Sequence, residues 1–168
     1  KQLWIAGCSI SNGDGVEIDE RYGHHLANKL DMPVSFLTQG GSSINWAADQ
    51  ILRSDIQPGD IVVWGLTSLA RTTFMYDNCD IINVNISRYA TTPEIHKVIP
   101  LELLGHSKNN LFHYLQDVYK VINFCSKIKA TLVLAGLLLD YEELKYVYDL
   151  PNFTALYCIN GVEFNERF

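Results

Sequence analysis

Four apolar runs recur along the chain: Leu3 to Ala6, Val34 to Leu37, Ile61 to Trp64 and Ala130 to Ala135. Segments of helical period or glycine- and proline-marked turns separate them. This alternation constrains the fold more than any other feature, because neighbouring parallel strands need a crossover long enough to hold a helix. Ile61-Val62-Val63-Trp64 is apolar without a break, as befits a strand covered on both faces. Between the runs, apolar residues return every three or four positions, the helical signal. Asp19 is the expected N-cap of a helix carrying Tyr22, Leu26 and Leu30. Ile44, Ala47, Ala48, Ile51 and Leu52 share one face of a second helix. Leu111, Leu115, Val118, Ile122 and Cys125 form the stripe of a third, over Asn109 to Lys127. Asp140 is expected to cap a short helix with Glu142 and Glu143 in its first turn, and Thr154 to Ile159 to form a fifth strand. The expectation is one α/β domain over residues 1–168, a three-layer α/β/α sandwich with a mostly parallel sheet of about five strands. The stretch 72–107, which contains Pro93, Pro100 and Gly105, has no clean period and reads as an insertion or lid.

Composition narrows the function classes. Thirteen Lys and Arg against nineteen Asp and Glu leave a net charge of −6, which argues against a broad phosphate-facing surface and so against a nucleic-acid partner. No apolar run approaches the ~20 residues that span a bilayer; Ala130 to Leu139, the longest, is interrupted by Thr131 and Gly136. The opening residues read as a strand and not as a signal peptide, so the expected location is cytoplasmic. Cys8, Cys79, Cys125 and Cys158 fall at wide, irregular spacings, which favours reduced, buried thiols over a disulfide framework or a metal site. The sequons at Asn85 and Asn152 read as chance matches. No histidine pair has zinc-ligand spacing, so neither a metal nor a cofactor is expected. An edge strand near the end of the sheet leaves a homo-oligomer open.

In sheets of this kind ligands bind outside the carboxyl ends of the strands. Gly7-Cys8-Ser9 follows the first strand, Gly40-Gly41-Ser42-Ser43 the second, and Gly65-Leu66-Thr67-Ser68 the third. Three successive strand ends thus supply glycines, hydroxyls and free backbone N–H groups, the parts of a serine nucleophile with an oxyanion hole. From residue 3 to about residue 71, the order and spacing of these blocks resemble the SGNH (GDSL-like) hydrolases. The resemblance implies a flavodoxin-like topology and cleavage of a carboxylic ester or acetyl group through an acyl-enzyme. Ser9 matches the nucleophile, with Cys8 where the family usually has Asp. Gly41 matches the glycine of the second block. Thr67 stands where the third block has Asn, so this oxyanion-hole donor is a hydroxyl and not an amide. The implied substrate is a small ester, or an acylated carbohydrate or lipid.

The family's base is a histidine in an Asp-x-x-His stretch after the last strand, and Asn160 to Phe168 contains no histidine. Three readings stay open: a longer parent protein, which is the favoured one; a base recruited from elsewhere; or an inactive relative. His96 and His106, in the irregular stretch, are the candidates for recruitment. His24 and His25 belong to the first helix and His113 to the long one, where helix-face roles suffice. Ser11 is the rival nucleophile. Asn45 is either a helix-start residue or a substrate contact. Arg71 either neutralises an acidic substrate group or pairs with Asp77. Asp14 and Glu17 form a carboxylate pair or a solvated turn, and Phe74, Tyr76 and Tyr89 line an acyl pocket or pack the insertion. The alternative function is a noncatalytic small-molecule or carbohydrate-binding domain that keeps the glycine-lined pocket. A phosphate-cradling loop over Ser9 to Gly15 comes last, because it lacks GxGxxG and GxxxxGK[ST] and carries Asp14.

Overall fold

The computed structural model describes residues 1–69, 71–75, 81–85, 107–136, 155–156, 158–159 and 162–163. In chain order these form β1 (Leu3–Gly7), the single turn α1 (Ser9–Asn12), a 3-10 turn (Ile18–Glu20), α2 (Tyr22–Leu30), β2 (Val34–Thr38), α3 (Ile44–Arg53), β3 (Ile61–Leu66), β4 (Arg71–Met75), β5 (Ile81–Asn85), α4 (Ser107–Ile128), β6 (Thr131–Gly136), β7 (Ala155–Leu156), β8 (Cys158–Ile159) and β9 (Val162–Glu163). The main sheet runs β2-β1-β3-β6-β7 with every pair parallel. The fold is therefore α/β, as the alternating pattern requires. Leu3 lies opposite both Val34 and Ile61, so β1 runs between β2 and β3. β4 and β5 pair antiparallel, with Arg71 opposite Asn85 and Met75 opposite Ile81; β8 and β9 also pair antiparallel.

Side chains on a strand alternate in direction, and the two sets here enter different clusters. Leu3, Ile5 and Val63 pack with Ala27, Tyr22 and Leu26 of α2 and with Phe36. Ala6, Val62, Trp64, Leu66 and Leu134 pack with Ile44, Ala47, Ala48 and Ile51 of α3 and with Tyr114, Val118, Val121 and Cys125 of α4. Trp64, Ile51, Val118 and Val121 are fully buried, each worth roughly 1.5–3 kcal/mol of apolar transfer. The strands are tied together at their amino ends by Asp60. Its carboxylate accepts from Gln2 N–H at 2.8 Å, Trp4 Nε1 at 3.0 Å and Gln57 N–H at 2.9 Å.

Several local expectations change. Asp19 is not an N-cap: it sits inside the 3-10 turn, where Glu17 and Glu20 form the capping box, and α2 begins after Arg21. The polar loop after β1 contains the turn α1. The stretch 72–107 is not irregular throughout, since most of β4 and all of β5 fall within it. Among the described side chains of α4 the buried ones are Tyr114, Val118, Val121 and Cys125, flanked by Leu115 and Ile122, which turns the stripe slightly from the expected one; the side chain of Leu111 lies outside the described residues. Thr154 to Ile159 is not one strand: Ala155–Leu156 extends the main sheet and Cys158–Ile159 pairs with Val162–Glu163. Asp140, Glu142 and Glu143 lie outside the described residues. Cys8 and Cys125 are buried free thiols, and burial pushes the Cys125 thiol up to about 11.

Candidate functional site

The three loops meet at the carboxyl ends of β2, β1 and β3. Gly7 lies opposite Thr38 across β2, and Ala6 opposite Trp64 across β3. Ser9, Gly41 and Thr67 therefore leave adjacent strands two or three residues beyond paired positions. Gly7 takes a φ of 140°, which favours glycine. A Cβ there would collide with Ser11 Oγ and come within 2.7 Å of Gly65 O. The chain then turns once: Asn12 N–H donates to Cys8 O at 2.8 Å, Asp14 N–H to Ser9 O at 3.0 Å, and Gly13 closes the turn with a φ of 72°. This places Ser9 at the first position of α1. Ser9 is half-buried, and among the described residues its hydroxyl accepts and donates no hydrogen bond. Ser11 is fully buried against Gly7 with an unpartnered Oγ. Ser9 is thus the more exposed of the two serines on this turn.

The second loop is fastened to the first through one carbonyl. Gly7 O accepts from Gln39 N–H at 3.3 Å and from Ser42 Oγ at 3.1 Å. Thr38 Oγ1 donates to Asn12 Oδ1 at 2.8 Å, and Asn12 Nδ2 donates to Asp14. The Asp14 carboxylate comes close to Gly40, where a Cβ would lie 2.9 Å from it. Gly41 is exposed with a φ of 77°, and its Cβ direction is open. Its N–H donates to no described acceptor. Asp14 and Glu17 do not act as a pair, since Asp14 accepts from Asn12 while Glu17 caps the 3-10 turn.

On the third loop, Thr67 is 2% exposed and its Oγ1 has no partner. A tight turn follows, with Arg71 N–H donating to Ser68 O at 3.1 Å. β4 then runs beside the start of α3. Ser43 caps that helix by accepting from Trp46 N–H at 3.3 Å, and its Oγ also meets Thr73 Oγ1 and Asn45 Oδ1. Asn45 Nδ2 donates to Thr73 O at 3.3 Å, so Asn45 joins α3 to β4. Arg71 is half-buried, with Nη1 enclosed and unpartnered.

None of the described histidines lies on these loops. His24 packs its ring on Phe36, with centroids 5.0 Å apart, on the α2 side of the sheet; His25 and His113 are exposed. His96, His106, Asp77, Tyr76 and Tyr89 lie outside the described residues, as does the side chain of Phe74. Burial raises the Tyr22 phenol above its ordinary value. Tyr22 therefore stays protonated near neutral pH and does not serve as a base. Among the described residues no group of three or more His, Cys, Asp or Glu side chains is arranged to hold a metal, and no helix is long and apolar enough to cross a membrane.

Ser42 and Thr73 escaped the sequence reading. Ser42 was legible as part of a glycine-serine loop, but its bond to Gly7 O depends on strand register. Thr73 became visible only with the hairpin. No family model matches the chain, and no curated protein matches it either.

Proposed function

We propose that the chain is a serine acylhydrolase of the SGNH (GDSL-like) type, with a three-layer α/β/α core of flavodoxin-like order, and that it cleaves carboxylic or acetyl esters. The observation that carries the reading is that Ser9, Gly41 and Thr67 follow the carboxyl ends of three adjacent parallel strands. Among the described residues, half-buried Ser9 has a hydroxyl with no hydrogen bond and the Gly41 N–H has no acceptor, while the buried Thr67 hydroxyl is unpartnered. With β4 and β5 set aside, the order β2-β1-β3-β6-β7 follows the doubly wound 2-1-3-4-5 pattern, whose ligand crevice lies at these carboxyl ends.

In this mechanism Ser9 Oγ forms a bond to the acyl carbon while its proton passes to a base. The carbonyl oxygen becomes an oxyanion, held by the N–H groups of Ser9 and Gly41 and by the Thr67 hydroxyl. The C–O bond to the alcohol breaks, and the alcohol leaves with the proton. Water then attacks the acyl-enzyme and returns Ser9 with a free acid. Each well-placed donor is worth ~3 kcal/mol in such a hole. The base is a histidine. His96 and His106 are the two to replace first.

The test is p-nitrophenyl acetate hydrolysis by the chain and by Ser9→Ala. The expected result is turnover above background that Ser9→Ala abolishes while its melting temperature is kept. Equal rates in the two proteins would overturn the reading and favour a binding domain built on the same loops.

A further inference from the structure

We propose that Arg71 is a specificity-determining residue that selects esters bearing a carboxylate near the scissile group. This rests on the reading of Ser9 as the nucleophile and adds the substrate's charge to it. The Arg71 guanidinium is permanently cationic and carries five donors. Here Nη1 is shut away from solvent with no partner, and no described residue forms an ion pair or hydrogen bond with the group. Among the described residues this half-buried cation has no counterion, an unfavourable arrangement that a ligand's anion would relieve. The planar guanidinium matches a carboxylate through two parallel hydrogen bonds.

Its direction follows from the strand. Residues two apart on β4 project to the same face, so Arg71 shares a face with Thr73, whose hydroxyl meets Ser43 Oγ. Ser43 lies two residues beyond Gly41. Arg71 also follows Thr67 by four residues, through the turn closed on Ser68 O. Its side chain thus leaves β4 on the side of the Gly41–Ser43 loop, and its backbone starts from the Thr67 loop. These are the two loops proposed to hold the oxyanion.

Three described carboxylates are engaged away from Arg71. Asp14 accepts from Asn12, Asp49 pairs with Arg53 at 2.7 Å, and Asp60 serves the amino ends of the strands. With a net charge of −6, the whole-molecule field repels anions, so a preference for an anionic substrate has to come from a local cation. The carboxylate belongs to either the acid or the alcohol part of the ester, and both arms can be measured.

The experiment compares kcat/KM for p-nitrophenyl hemisuccinate against p-nitrophenyl butyrate, and for 4-acetoxybenzoate against phenyl acetate. The same ratios are measured in Arg71→Met and Arg71→Lys, with thermal melts to confirm folding. In parallel, the Arg71 Nε–Hε NMR signal of Ser9→Ala is followed while succinate is added. The carboxylate-bearing ester of at least one pair is expected to be preferred on the order of tenfold or more. That ratio should fall towards one in Arg71→Met and stay intermediate in Arg71→Lys, and succinate should shift the Arg71 signal. Ratios near one in the unaltered protein together with an unmoved Arg71 signal would overturn the proposal. If no ester is hydrolysed yet succinate moves the signal, the carboxylate site stands and the hydrolase reading falls.

Discussion

At the scale of single residues, two glycines with positive φ separate packing from backbone strain. A Cβ at Gly7 would meet the backbone oxygen of Gly65 at 2.7 Å as well as Ser11 Oγ, and neither β1 nor β3 can move aside. Gly7→Ala is expected to cost about 2–4 kcal/mol in urea unfolding. Gly41 has a φ of 77° with nothing within 4 Å of its Cβ direction. Gly41→Ala should therefore cost only the left-handed strain, about 1–2 kcal/mol. Equal losses at the two sites would contradict this packing at the strand ends. Thr67 tests the chemistry: Thr67→Val keeps the shape and removes the hydroxyl. It is expected to lower kcat by about a hundredfold without lowering the melting temperature, because the lost group has no partner in the fold. That Ser9, Gly41 and Thr67 follow strand ends was legible because apolar runs had already located the strands. The burial of Ser11 was not, because it depends on how tightly α1 turns after Gly7.

At the scale of elements, α2 lies close on the sheet because Gly23 carries no side chain. A Cβ there would come within 2.8 Å of both Ile5 Cγ1 and the Phe36 ring. Alanine is the better helix former by about 1 kcal/mol, while overpacking a tight core costs about 1–3 kcal/mol. Ile5 is fully buried and part of the sheet core, so overpacking should win and Gly23→Ala should lower the urea midpoint. A raised midpoint would show that α2 sits further from β1 and β2. The main strands were readable because a strand buried on both faces is apolar along its whole length. β4 was not, since Arg71-Thr72-Thr73-Phe74-Met75 is mostly polar at its start and its pairing with β5 is local to the hairpin. The start of α2 was misread for a related reason: Asp19 has the right chemistry for a cap, but the Glu17–Glu20 box had already claimed that turn.

At the scale of the whole molecule, the two edges of the sheet have different tasks. Asp60 gathers Gln2, Trp4 and Gln57 at the amino ends, and the glycine-hydroxyl loops converge at the carboxyl ends. Burial pushes the Asp60 carboxyl up, but the hydrogen bonds from Gln57, Trp4 and Gln2 outweigh it and hold the value below the ordinary carboxylate range. A carboxylate with a lowered folded value stabilises the fold above its unfolded pKa of about 3.9, and that contribution is lost as pH falls through the folded value. Asp60→Asn is accordingly expected to lose about 1–3 kcal/mol at pH 7, with the gap to the unaltered protein narrowing below about pH 4. Urea titrations at several pH values check this, and a gap that stays constant or widens in acid would contradict it. The α/β character and the placing of the glycine-hydroxyl loops at strand ends were visible before any coordinates. The link from β4 to the cap of α3 was not, because it joins residues that only the folded chain brings together.

The central claim, that Ser9 carries the acyl group, is tested most directly by trapping the acyl-enzyme. The protein and Ser9→Ala are mixed briefly with p-nitrophenyl acetate, quenched in acid, digested and read by mass spectrometry. The expected result is one acetyl group on the peptide containing Ser9 in the unaltered protein and none there in the variant. Acetylation confined to lysines, equal in the two proteins, would contradict it.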